Sequence, residues 1–164
     1  MQEETSMALG VAAAAQRGTG PKGIASGTVL ATLDGFLPID FVEPGDRVVT
    51  RDGMRIVRAV RVHRYSGPAV RISASALGHD RPEQDLTLPA QTRILIRDWR
   101  AGALYGADRA IVPVERLVDG EFVAMTEVKS LRLYEVLFDT PQVVYAEGVE
   151  LCCDAVEADV EVEA

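Results

Sequence analysis

Side chains that could carry chemistry are few in this chain, and they are scattered. Its 164 residues hold two cysteines, adjacent at Cys152-Cys153, and two histidines, His63 and His79. A thiol can attack a carbonyl or pair with another thiol. Neighbouring cysteines rarely form a disulfide framework, however, and at a strand end they point to opposite faces, one to the core and one to solvent. His63 sits between Arg61 and Arg64, and His79 in a Gly-His-Asp turn, so both read as surface residues. A metal needs three or four convergent ligands, and no spacing here supplies them, so neither a metal nor another cofactor is expected. GTGPKG has the look of a phosphate loop but lacks the four residues that belong between Gly and Gly-Lys.

Two further groups are interaction candidates. Arg55, Arg58, Arg61 and Arg64 recur every third residue along MRIVRAVRVHRY. On a strand that spacing spreads them over both faces, which reads as a solvated edge that discourages strand addition rather than a patch for an acidic partner. Trp99 and Tyr105, in DWRAGALYG, are expected to anchor a loop in the core.

The formal charge of −8 argues against nucleic acid as a partner, because that affinity rests on Lys and Arg neutralising phosphates. MALGVAAAA has the length of a signal-peptide core, but the MQEETS before it is acidic where a basic region belongs. No apolar run approaches the ~20 residues that cross a bilayer. These features predict a soluble, cytoplasmic protein without membrane partners. DAVEADVEVEA, with five acids and no base, reads as a solvated tail; secretion through a C-terminal signal stays open, as does the oligomeric state.

Strands must position whatever these residues do. With 48% hydrophobic residues the chain can fill the core of one domain. Thr28 to Leu33 reads as a strand ending in an Asp34-Gly35 turn; DRVVTRDG stops at Asp52-Gly53, and MRIVRAVRVHRYSG at Ser66-Gly67. AVRISASALG places Val70, Ile72 and Ala74 inward against Arg71, Ser73 and Ser75. Later, Leu131, Leu133, Glu135 and Leu137 oppose Arg132, Tyr134, Val136 and Phe138. The pattern predicts a meander of short strands, with helical turns only near DWRAGALYG and VERLV. Within it PIDFVEPGDRVV and PVERLVDGEFVA align without a gap, matching Pro38 with Pro113, Gly45 with Gly120 and Val48 with Val123. Such a repeat fits one domain made of two related halves.

GTVLATLDGFLPIDFVEPGDRVVTRDG resembles the opening of a Hint domain, the Hedgehog/intein fold, in its bacterial stand-alone form. LPAQTRILIRDWRAGALYGADRAIVPVERLVDGEFV and YEVLFDTPQVVYAEGVEL are similar to that family's middle and closing segments, in the same order. The resemblance implies an all-β horseshoe of two pseudo-symmetric halves with short helical turns over residues 23–151, a flexible lead-in over 1–22 and an acidic tail over 152–164. In active members the first residue, Cys or Ser, attacks the preceding carbonyl in an N-to-S or N-to-O acyl shift, and a His of the middle segment donates a proton to the departing amide nitrogen. Setting Gly27-Thr28 on the family's Gly-Thr puts Gly23 at the nucleophile position, and Arg93 on its Arg puts Thr92 at the His position. Glycine offers no nucleophile, threonine no proton donor near neutral pH, and VELCC no His-Asn pair for a splicing exit. No catalytic residue is therefore expected, and a binding or structural module with an unidentified protein partner is. The alternative is an autoprocessing domain that cleaves its own N-terminal segment through a displaced nucleophile, with Ser26 as fallback and the Cys pair behind it.

Overall fold

Two long antiparallel strands form the spine of the protein, whose computed structural model describes residues 22–156. In chain order the strands are β1 (Ile24–Ala25), β2 (Val29–Thr32), β3 (Gly35–Pro38), β4 (Arg47–Thr50), β5 (Gly53–Ile56), β6 (Ala59–Ile72), β7 (Leu86–Pro89), β8 (Arg93–Ile96), β9 (Ala110–Pro113), β10 (Val123–Leu137), β11 (Gln142–Ala146) and β12 (Val149–Cys153). One helix, α1 (Trp99–Tyr105), links β8 to β9, and 3-10 turns occupy Ile39–Phe41 and Val114–Leu117. One sheet has the order β1-β10-β6-β7; the other runs β3-β2-β4-β11-β12-β8-β9, with β5 added beside β4. The fold is all-β.

The long strands correct the expected meander. MRIVRAVRVHRYSG is not one strand: β5 and β6 are separated at Val57-Arg58, and β6 then runs straight through Ser66-Gly67. Gly67 (φ 151°) does not turn the chain. Its missing side chain makes room for Tyr65, whose hydroxyl would lie 2.8 Å from a Cβ there and instead donates to the Pro68 carbonyl at 2.6 Å. The irregularity falls on β10, between Val128 and Leu131, where the Ser130 amide donates to Ser66 Oγ at 2.9 Å. Inward alternation holds for Val70 and Ile72, but β6 ends there and Ala74 is exposed. Along β10, Leu133, Tyr134, Val136 and Leu137 are all buried, as is Phe138 just after it, because the end of this strand is covered on both faces. The first 3-10 turn, Ile39–Phe41, is an addition to the helical turns expected.

The repeat read in the sequence is a real equivalence of backbone. Val29 pairs with Pro38 as Arg93 pairs with Pro113, and each proline leads into a 3-10 turn. The Ile39 amide donates to Thr28 O, and the Val114 amide to Thr92 O, both at 2.8 Å. The turns before the two threonines match as well: Thr28 N–H donates to Ala25 O, and Thr92 N–H to Pro89 O, both at 3.0 Å. The sheet order β1-β10-β6-β7 is symmetric about the β10–β6 contact, since β1 and β7 are the strands that precede the two threonines. Gly45 (φ 95°) and Gly120 (φ 80°) take the following bends with open space where a Cβ would go. Valine at either should cost more than about 1 kcal/mol through backbone strain alone, read as a lower urea midpoint. Unchanged stability at both sites would make the glycines incidental to the repeat.

One buried acid ties three loops to the larger sheet. Glu150, on β12, has no solvent exposure. Its Oε2 accepts from Arg51 Nη1 at 2.6 Å, and its Oε1 from Arg97 Nε at 2.7 Å and Arg81 Nη2 at 3.3 Å. Those arginines come from the β4–β5 turn, the long β6–β7 connection and the end of β8, so one carboxylate fixes three segments that share no strand pairing with one another.

Candidate functional site

Gly23 begins β1's approach to the spine, and its backbone lies so close to β10 that a side chain has nowhere to go. Its φ is 136°, and a Cβ built on it would stand 2.8 Å from Leu133 Cβ and 3.3 Å from the Tyr134 carbonyl oxygen. A backbone in that region of φ is one that L side chains rarely adopt. Close packing where the halves meet thus explains Gly23, whereas Ser26 and Gly27 are exposed and Gly27, at φ 87° with open space around it, serves the turn and not a close approach.

Beside Gly23 is a cavity of about 40 Å³, room for a few water molecules. Its wall brings together Gly23, Thr92, Cys152, Cys153, Lys22 and Asp154. Four of these were named from sequence and now share one cavity although they lie far apart in the chain. Thr92 arrives through the tight turn Pro89–Thr92 that precedes β8. Its Oγ1 is buried without a hydrogen-bond partner among the described residues, and a hydroxyl so placed takes water or a ligand as partner. Lys22 and Asp154 were not anticipated. The Lys22 ammonium forms a salt bridge with the Asp154 carboxylate within the cavity wall, joining the two ends of the described chain.

Both cysteines are reduced, Cys153 buried and Cys152 half-buried, so the expectation that one would be open to solvent is corrected. Although they alternate along β12, both contribute to the cavity wall. Burial pushes the Cys152 thiol up to about 12, with nearby Arg93 opposing and Asp154 and Glu150 adding to the rise. Burial likewise pushes the Cys153 thiol up. The thiolate is the nucleophile, so neither cysteine is activated near neutral pH.

Ser26 lies outside the cavity wall. Its hydroxyl donates to Asp40 Oδ2 at 2.5 Å, while the Gly27 amide donates to Oδ1 at 2.6 Å. Burial alone would push the Asp40 carboxyl up, but the bonds from Ser26 and Gly27 outweigh it and hold it below its usual value. A carboxylate stabilised in this way is a poor base for the hydroxyl it holds. In the other half Glu115, the match of Asp40, is hydrogen-bonded side chain to side chain with Gln91, the match of Gly27, while Ser26 matches Ala90, which has no hydroxyl. The acid after each proline thus braces the turn before its threonine, and Ser26 joins that brace in one half alone.

The remaining candidates stand apart. His79 is exposed and contacts Asp80 by charge, at 3.4 Å, and His63 is half-buried on β6 between exposed Val62 and Arg64; neither lines the cavity. Among the described residues no three His, Cys, Asp or Glu side chains converge as metal ligands would. Trp99 is 70% exposed and Tyr105 is exposed too, so the expected core anchors are not anchors. The short helix α1 buries only Ala101, and the Trp99 ring instead carries the Arg100 guanidinium 4.8 Å above it. No described helix is long and apolar enough to cross a membrane.

The sheet continues past Leu151, for β12 runs to Cys153 and Ala155 bridges Phe138 in parallel. Residues 152–156 therefore belong to the fold and not to the acidic tail. The rest of the expected tail, residues 157–164, and residues 1–21 of the expected lead-in lie outside the described residues.

Residues 23–152 match the sequence pattern of the family described as Hint domain. The sequence has no significant match among curated proteins. Solved structures similar to this chain include a bacterial intein-like domain from Clostridium thermocellum, 13% identical with a TM-score of 0.60 over 82% of this chain and 100% of that one. The gp41-1 intein is 11% identical with a TM-score of 0.54, covering 80% of this chain and 98% of its own. The MchDnaB-1 intein is 17% identical with a TM-score of 0.52, covering 80% and 99%. At such identities the likeness is one of fold.

Proposed function

Because the chain belongs to the Hint domain family, we propose that it is a member that neither cleaves nor splices itself and that works as a binding or structural module in contact with another protein. The observation that carries this reading is the conformation of Gly23. The position that would hold the attacking side chain has no side chain, and neither the space nor the backbone conformation to accept one. An acyl shift needs its nucleophile about 3–3.5 Å from the scissile carbonyl, since that proximity supplies much of the rate. Three further observations support the reading. Thr92 offers no imidazole, Cys152 stays protonated, and Ser26 is held outside the cavity by a carboxylate that is a weak base.

The test is the mass of the full-length protein after incubation with hydroxylamine or a thiol. One species of unchanged mass is expected. Release of a fragment ending near Lys22 or Ala25 would overturn the reading and establish autoprocessing through a displaced nucleophile.

A further inference from the structure

Arg51, Arg81 and Arg97 supply more positive charge than Glu150 needs. Three guanidiniums meet on one buried carboxylate, which leaves two positive charges uncompensated in a chain whose formal charge is −8. A single bidentate arginine would satisfy a buried acid. Three further acids stand next to these arginines in the sequence, Asp52, Asp80 and Asp98, and none is within salt-bridge distance of them. Asp98 instead holds Arg100 and accepts from its amide, and Asp80 lies against His79.

The three guanidiniums are close together and already ordered. Arg97 Nε and Arg81 Nη2 both donate to Glu150 Oε1, at 2.7 and 3.3 Å, which holds the two nitrogens within about 6 Å of each other. Arg51 Nη1 donates to the other oxygen of the same carboxylate at 2.6 Å. Backbone bonds fix the segments that carry these side chains. Arg51 N–H donates to Val143 O at 3.1 Å, Arg81 N–H donates to Gly78 O at 3.0 Å, and the Arg81 carbonyl accepts from Leu77 N–H at 2.7 Å. Arg97 directly precedes Asp98, whose carboxylate caps α1. Glu150 takes one donor from each guanidinium, and among the described residues no other acceptor takes the rest. The three side chains keep 27%, 29% and 43% of their surface exposed, so a ligand can approach them from solvent.

Donors of this kind select an oxyanion. The guanidinium fork fits pairs of phosphate or carboxylate oxygens, and little ordering is left to do on binding because Glu150 already holds the side chains. Two uncompensated charges match a dianion better than a monoanion, and a phosphate monoester carries close to two near neutral pH. A polyanion would meet the acidic surface as a whole, whereas a single phosphoryl group feels chiefly the charges within about 8 Å.

We propose that Arg51, Arg81 and Arg97, held in place by Glu150, form a binding site for a phosphate monoester. Glu150 orients the arginines and does not touch the ligand. None of the three arginines lines the cavity beside Gly23, so the site stands whether or not the chain processes itself.

The test titrates the full-length protein with phenyl phosphate at constant ionic strength and follows the arginine Nε–H signals by NMR. Those of Arg51, Arg81 and Arg97 should shift together and saturate, and acetate should bind at least about tenfold more weakly. Arg97→Ala and Arg81→Ala should each weaken phenyl phosphate binding by about tenfold or more, while Arg55→Ala leaves it unchanged. Cooperative thermal unfolding shows that each variant is folded. Where an alanine variant is not, lysine at the same position keeps the charge, loses the fork and should weaken binding severalfold. A phosphoserine peptide run alongside distinguishes the sources of the group: tighter binding than phenyl phosphate identifies a modified side chain of a partner protein, and equal binding a small phosphate ester. Shifts that do not saturate, that spread equally to Arg55 and Arg58, that acetate reproduces at the same concentration, or that survive both Arg97 and Arg81 substitutions would overturn the proposal.

Discussion

Replacing Glu150 with alanine should cost the domain on the order of 3–5 kcal/mol, the loss typical of removing one partner from a buried ion pair. The carboxylate is fully buried and accepts from three guanidiniums, and no other acid lies in salt-bridge distance of those three among the described residues. Without it, Arg51, Arg81 and Arg97 face one another across a hole. Glu150→Gln keeps the volume but puts an amide donor where an acceptor is required, so its cost should approach that of alanine. Arg97→Ala should cost less than half as much, because two partners remain and the lost one is half exposed. Thermal unfolding gives the comparison, at roughly 2–4 °C per kcal/mol for a chain of this size. Equal shifts for Glu150→Ala and Arg97→Ala would show that the carboxylate is not the centre of the arrangement.

The second expected result is a failed restoration. Gly23→Cys, alone or with Thr92→His, should not make the protein cleave at the Lys22–residue 23 bond in the presence of dithiothreitol. The new Cβ meets Leu133 Cβ at 2.8 Å in a backbone conformation unsuited to any side chain, so the substitution should destabilise the fold by about 3 kcal/mol through strain and overpacking. Gly23→Ala should cost nearly the same, since the Cβ and not the sulfur causes the clash. Cleavage by the double variant would mean that β1 moves away from β10 at little cost, and that only two side chains separate this protein from an active one.

The parts of the fold visible in the sequence are those set by local pattern. Gly-containing turns at Asp34-Gly35 and Asp52-Gly53 mark real hairpins, and the match of Pro38 with Pro113 marks a real equivalence. Ser66-Gly67 carries the same local signature but serves a tertiary purpose, room for the Tyr65 ring, which no window of residues reveals. Trp99 misleads for a similar reason: its size argues for burial, yet a seven-residue helix spanning a sheet connection has too little core beneath it. In the site, Gly23 and Thr92 were reached through family resemblance, and the structure sets both in the wall of one cavity. Lys22 and Asp154 were missed because the acid stands first in a run of acids that reads as solvated. Glu150 was missed because its three partners are separated from it by 99, 69 and 53 residues.

Thr28 and Thr92 are the same residue in the same place, each buried, each opening a strand and each accepting from the first amide after a proline. A molecule built of two such halves has no intrinsic reason to treat them differently. A histidine at one of the two would be a departure from that equality, and so would a nucleophile in front of one half alone. Chemistry on this scaffold is therefore a broken symmetry, and a chain with threonine at both positions stands closer to the undifferentiated pair. If the protein does not process itself, as proposed above, both turns answer to packing alone, and what still distinguishes the two threonines is the cavity that only Thr92 lines.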